Sequence, residues 1–142
     1  MRRLPEQSIK CCFLVVRKGC SFVFYGAIRR LGDGACFVKN NGVYLILNMH
    51  SPQGGYQSQG TGDALWDDVE NQNRLGALWK AIAERYKDEP QIAGFGVLNE
   101  PIPNQSIDQW SQLAQRLVNE VRSADDDHII FLEQAISVKG QA

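Results

Sequence analysis

Residues 92–104, IAGFGVLNEPIPN, carry an apolar run that ends in an amide and a carboxylate, Asn99 and Glu100, immediately before Pro101. An apolar run of this length without alternation has the pattern of a strand covered on both faces, the kind that builds parallel sheets. The proline cannot donate to a ladder and so marks its end. A polar pair therefore stands where a buried strand should stop.

The same grammar recurs on both sides. Residues 43–49, VYLILNM, form a second short apolar run rich in strand formers, preceded by the turn signal NNG and closed by His50. Residues 128–133, HIIFLE, form a third, ending in Glu133. Between residues 70 and 89, Leu75, Leu78, Trp79, Ile82 and Tyr86 return at helical spacing until Pro90 stops the pattern. Between residues 106 and 125, Trp110, Leu113, Leu117 and Val121 share one helical face, with Ser106 in the N-cap position. Residues 51–63, SPQGGYQSQGTGD, have the composition of a long polar loop rather than of a packed element. Strand, helix, strand, helix, strand with short connections predicts an α/β chain paired in parallel through right-handed crossovers. Ligand sites in such folds form at the carboxyl ends of the strands. His50, the pair Asn99 and Glu100, and Glu133 all fall on that rim.

Bulk properties bound the possibilities. At 142 residues the chain has the length of one ordinary domain, enough to bury roughly two thirds of the surface that its unfolded form exposes. With 44% hydrophobic and 22% charged residues and a formal net charge of -1, the composition gives no bias toward nucleic acid or membrane partners. No run approaches the roughly 18 apolar residues of a membrane span. The charge is unevenly spread: residues 1–40 hold eight basic side chains against two acidic ones, Glu6 and Asp33. All four cysteines, Cys11, Cys12, Cys20 and Cys36, lie in the same stretch. Their spacing suits neither a zinc site nor a dense disulfide framework, so free thiols are expected. The start imitates an export signal, but Arg17 and Lys18 cut its apolar run into pieces too short for one. Residues 1–40 therefore read as an atypical basic leader, solvated and poorly ordered, and residues 41–142 as the folded part.

Three stretches then carry a likeness. GVYLILNMHSPQGGYQ, LWDDVENQNRLGALWKAIAERYKDEPQIAGFGVLNEP and DDDHIIFLE, in this order and spacing, resemble the third to fifth strand and helix units of family 5 glycoside hydrolases, the cellulase family of (β/α)8 barrels. The resemblance covers about residues 41–135 and implies a partial TIM barrel acting on β-1,4-glucans, with no metal or organic cofactor. It assigns Glu100 the part of acid/base catalyst at the end of the fourth barrel strand. Asn99 would hold the sugar 2-hydroxyl, and His50 would line the subsite where the bond breaks. The chemistry is consistent, because a glycosidic leaving group needs a proton and a partly enclosed strand end favours a carboxyl that keeps one. Trp66 is expected to stack on a sugar face, with Tyr56 a weaker candidate; Trp79 and Trp110, on apolar helical faces, are expected in the core.

The resemblance also marks what is missing. A retaining glycosidase pairs its acid with a second carboxylate about 5 to 5.5 Å away. In the family it comes from the seventh strand, whereas the likeness stops after the fifth. The family's first two strands are not evident in residues 1–40, and Arg29 and Arg30 lack the pattern around the arginine that usually ends the second; LGDGACFVKNNG resembles the end of the helix before strand three. Glu133 can approach Glu100, because adjacent strands lie about 4.8 Å apart, and an oligomer can bring two copies of Glu100 together. A solvated Glu133 is the plainer expectation. Asp67, Asp68 and Asp125 to Asp127 read as loop and cap charge rather than a metal site. Three or four parallel strands cannot close a barrel, so a homo-oligomer completed by association or swapping is expected. The functional alternatives are a carbohydrate-binding or inactive remnant, or a truncated reading of a longer gene. The resemblance implies action outside the cell.

Overall fold

The computed structural model describes residues 10–17, 20–27, 43–58, 60–124 and 127–140. The run after NNG becomes a strand, Tyr44–Ser51, in which alternate side chains, Leu45, Leu47 and Met49, are buried. The run before Asn99 becomes the strand Ile92–Gly96, and the third becomes Ile129–Phe131. Two further strands precede them, Lys10–Arg17 and Cys20–Ala27. In chain order these are β1 (Lys10–Arg17), β2 (Cys20–Ala27), β3 (Tyr44–Ser51), β4 (Ile92–Gly96) and β5 (Ile129–Phe131).

They form one sheet in the order β2-β1-β3-β4-β5. β3 and β4 pair in parallel from Leu45 opposite Ile92 to Asn48 opposite Gly96, and β4 and β5 from Gly94 opposite Ile129 to Gly96 opposite Phe131. The parallel α/β core is as expected and gives the partial barrel. The leader is not: β1 and β2 pair antiparallel from Lys10 opposite Ala27 to Arg17 opposite Cys20, and β1 lies antiparallel on β3 from Lys10 opposite Ser51 to Val16 opposite Tyr44. A row of strand donors and acceptors is costly to leave unpaired, and β1 meets that need on the β3 side. Arg29, Arg30 and the LGDGACFVKNNG segment lie outside the described residues.

Among the described residues three helices connect the parallel strands: α1 (Asp63–Asp67) and α2 (Val69–Tyr86) between β3 and β4, and α3 (Ile107–Arg122) between β4 and β5. Asp68 caps α2 by accepting from the Glu70 N–H at 2.9 Å, as its cap reading required. Ser106 occupies the N-cap of α3, yet its hydroxyl makes no capping bond. α2 and α3 pack on one face of the sheet, sealing Leu75, Trp79, Ile82, Leu113, Leu117 and Val121 against Leu47, Phe95 and Val97. The Trp79 ring lies 5.5 Å from that of Phe95, and its indole N–H donates to the Val97 carbonyl at 2.9 Å.

The opposite face is open. Tyr44 is 57% and Ile129 60% exposed, and Ile46, Asn48 and His50 are half-buried. The expectation that β3 is covered on both faces fails here, for a physical reason. The inside of a barrel is filled by side chains from strands all round it, and three parallel strands supply too few. The polar loop after β3, expected to remain unpacked, is in fact packed. Gly54 and Gly55 take φ values of 94° and 100°, and a Cβ on Gly54 would lie 2.3 Å from the Leu65 nitrogen of α1. Gln57 is buried within that loop, its amide donating to the Gly62 carbonyl at 3.2 Å.

Among the described residues no helix is long and apolar enough to cross a membrane. No group of three or more His, Cys, Asp or Glu among them could hold a metal ion.

Candidate active site

The ends of β3, β4 and β5 bring the expected rim together. Beyond β4 the chain follows the end of β3, the Asn99 N–H donating to the Met49 carbonyl at 2.9 Å. It then turns at Glu100, whose φ of 48° is left-handed, the only such non-glycine value among the described residues. That region crowds Cβ against the next carbonyl and so needs local support.

The support comes from the next strand end. Glu133, two residues past β5, accepts the Glu100 N–H on Oε2 at 2.8 Å. Its other oxygen, Oε1, accepts from Asn48 Nδ2 at 3.2 Å. The same Asn48 amide lies 3.5 Å from Asn99 Oδ1. Asn48 has this position because Gly96, beside it on β4, has no side chain: a Cβ there would sit 2.9 Å from Asn48 Cγ. The indole N–H of Trp110 donates to the Glu133 carbonyl at 3.0 Å, tying the strand end to α3. Asn99 is 9% exposed, whereas Glu100, His50 and Glu133 are half-buried at the mouth of the open face.

His50 ends the line of inward side chains on β3. Its Nδ1 lies 3.3 Å from the Tyr56 hydroxyl, and the two rings are 5.9 Å apart. Burial lowers its pKa below the usual histidine value, and the Glu133 and Glu100 carboxylates oppose that shift without reversing it. The imidazole is thus neutral at pH 7, able to exchange hydrogen bonds with a sugar without placing a positive charge beside the carboxylates.

Of the residues expected at the site, His50, Asn99 and Glu100 share the rim, and Glu133 joins them through the Glu100 main chain. Trp66 does not join them. It is 5% exposed, its indole N–H donates to Gln57 Oε1 at 2.7 Å, and its ring meets Trp110 edge-on at 6.5 Å. The sugar platform expected of Trp66 is corrected to a core contact, because α1, which sequence reading missed, turns that ring inward. Trp79 and Trp110 are in the core as expected. Asn48 was missed altogether, although period-two alternation along β3 puts it on the same face as His50. Asp67 accepts from Asn104 Nδ2 at 2.7 Å and Asp127 is exposed, while Asp125 and Asp126 lie outside the described residues.

Comparison with known proteins adds a family. Residues 27–138 match the family model described as Cellulase (glycosyl hydrolase family 5). A beta-xylosidase of Phanerodontia chrysosporium is 32% identical over 101 residues, covering 66% of this chain and 21% of that protein. An endoglucanase of Paenibacillus polymyxa is 33% identical over 100 residues, covering 65% and 24%. Among solved structures, Thermotoga maritima Cel5A in complex with cellobiose superposes with a TM-score of 0.61 at 30% identity, over 76% of this chain and 32% of that one. The same protein with mannotriose gives 0.62 at 29%, over 76% and 32%. The chain therefore spans about a fifth to a third of the length of these relatives.

Proposed function

This chain belongs to glycosyl hydrolase family 5, and on that premise we propose that its rim serves hydrolysis of β-1,4-glucosidic bonds in cellulose-like polysaccharides. Glu100 is the acid: it gives its proton to the glycosidic oxygen as the bond to the sugar's anomeric carbon breaks, and takes one from the water whose oxygen bonds to that carbon. Asn99, nearly buried with its carbonyl oxygen facing Asn48, offers an amide to the sugar 2-hydroxyl without competing for that proton. The neutral His50, braced by Tyr56, lines the place where the bond breaks. Such chemistry needs carboxylates alone and no cofactor. The observation that carries the reading is the convergence of His50, Asn99 and Glu100 at the ends of adjacent parallel strands. Because the substrate is a polymer too large to cross a membrane, action outside the cell follows from the same reading.

The test is release of reducing ends from carboxymethyl cellulose by the purified chain and by Glu100→Gln. Loss of a proton donor costs roughly 10² to 10⁴ in rate, so the parent should act and the variant should fall to that extent. Equal rates in both would remove Glu100 from the chemistry. Cellobiose and mannotriose complexes of the Thermotoga relative make cellodextrins and manno-oligosaccharides the first soluble substrates to compare.

A second reading, a carbohydrate-binding remnant without turnover, is favoured by one observation. Glu133 is the carboxylate joined to Glu100, and both its oxygens are engaged by the Asn48 amide and the Glu100 N–H, which commits it to holding the main chain. Calorimetric binding of cellohexaose with no reducing ends released would establish that reading. The open inner face, with Tyr44, Ile129 and Phe131 exposed, supports association of copies to cover it; a sedimentation mass equal to one chain at micromolar concentration would refute a homo-oligomer.

A further inference from the structure

We infer that Glu133 is a positioning residue: its carboxylate holds the main chain of Glu100 in the left-handed turn that aims the acid at the rim. The inference deepens the proposed function and rests on it only for the word acid. The turn itself is a feature of the fold. Glu100 is neither glycine nor asparagine, and nothing in its own side chain favours a φ of 48°. What holds it is a hydrogen bond from its N–H to Glu133 Oε2 at 2.8 Å, the length of a bond to a charged acceptor.

Glu133 is in turn held from two other elements. Asn48 on β3 donates to its Oε1, and Trp110 on α3 donates to its backbone carbonyl. Three strand ends thus meet on the Glu133 side chain and one helix on its main chain, with Gly96 leaving the space that Asn48 needs. A solvated glutamate at a strand end would not be expected to satisfy two donors from two separate segments. A nucleophile is a poorer description still: each oxygen keeps a lone pair, but the two donors fix the carboxylate on the Glu100 main chain and Asn48. Removing the carboxylate frees residue 100 to relax toward negative φ, which turns the Glu100 side chain away from Asn99 and His50. Misplacement by about 1 Å is enough to cost roughly a hundred-fold in rate.

The direct test follows the backbone amide of residue 100 in the ¹⁵N-labelled chain by NMR as pH is lowered through the carboxylate range. In the parent, that amide proton should sit downfield while Glu133 is ionised and move upfield as it is protonated. Glu100→Gln, which removes residue 100's own carboxyl, should leave this titration in place, and Glu133→Gln should abolish it. Persistence in Glu133→Gln, or absence in Glu100→Gln, overturns the inference. The readout needs no turnover, so it stands or falls separately from the hydrolase reading. If the parent proves hydrolytic, Glu133→Ala should lower kcat by about ten- to a hundred-fold with KM little changed. Glu133→Gln, which keeps an acceptor for the Glu100 N–H, should recover most of that loss. A change confined to KM, or no recovery by the amide, would refute a positioning role.

Discussion

Replacing Trp79 by phenylalanine tests whether the helical layer and the rim are mechanically joined. Trp79 is fully buried, and its indole N–H reaches the carbonyl of Val97, two residues before Asn99. Phenylalanine keeps an aromatic ring near Phe95 but has no donor. The Val97 carbonyl, in an equally buried residue, loses that partner, at a cost of about 1–3 kcal/mol. The smaller ring also gives up buried surface and leaves a partial void, about 1–2 kcal/mol more. Together the loss should be about 2–5 kcal/mol, a large share of a small domain's stability. Urea unfolding followed by far-ultraviolet circular dichroism measures it, since the substitution also changes the tryptophan fluorescence. The midpoint should fall with an unchanged slope, the mark of lost native stability rather than an altered denatured state. A loss below about 1 kcal/mol at constant slope would show that the indole bond and its packing contribute little.

Two further perturbations probe the strand ends. Gly94→Ala places a Cβ 2.2 Å from the Ile129 carbonyl oxygen and 2.9 Å from Phe131 Cε2, so β4 and β5 must separate; a cost of about 1–3 kcal/mol is expected, and unaltered hydrogen exchange of the β5 amides would contradict it. His50 gives a pH signature with a definite sign. Its folded pKa is depressed by burial, so below about pH 6.5 the unfolded chain takes up the proton first. Stability should therefore fall as pH drops through that value and on toward the folded pKa, and it should be fully present above it. Melting temperatures of the parent and His50→Gln across this window should diverge, and parallel curves would exclude His50 as the source.

The parallel core was legible because continuous apolar runs and helical spacing report local periodicity, which packing then reinforces. The runs ending in His50, Asn99 and Glu133 became β3, β4 and β5, and the rim followed from their order. Side-chain direction was harder to read. Trp66 stands beside a polar loop in sequence, and only the short α1 helix, with its indole bonded to Gln57, turns it inward. Gln57 and Gly54 belong to a loop whose composition looks solvated. Their packing depends on positive φ values and a buried amide, which composition does not encode. The antiparallel pairing of β1 and β2 was hidden for a different reason. Its basic residues and cysteines drew attention to charge and redox, although the apolar stretches between them have strand length and a two-residue separation. Glu133 was readable only in part and Asn48 was missed, since their role lies in contacts between strand ends far apart along the chain.

The left-handed turn at Glu100 sets durability against chemistry at one position. Asparagine or aspartate adopts that backbone more readily, whereas glutamate bears a penalty of about 1–2 kcal/mol, partly offset by Glu133. Variants chosen from a random library for heat resistance alone should therefore drift toward Asn at position 100, gaining melting temperature as they discard the proton donor. Retention of glutamate there would have to be enforced by screening on sugar cleavage, because thermal selection would steadily erase it.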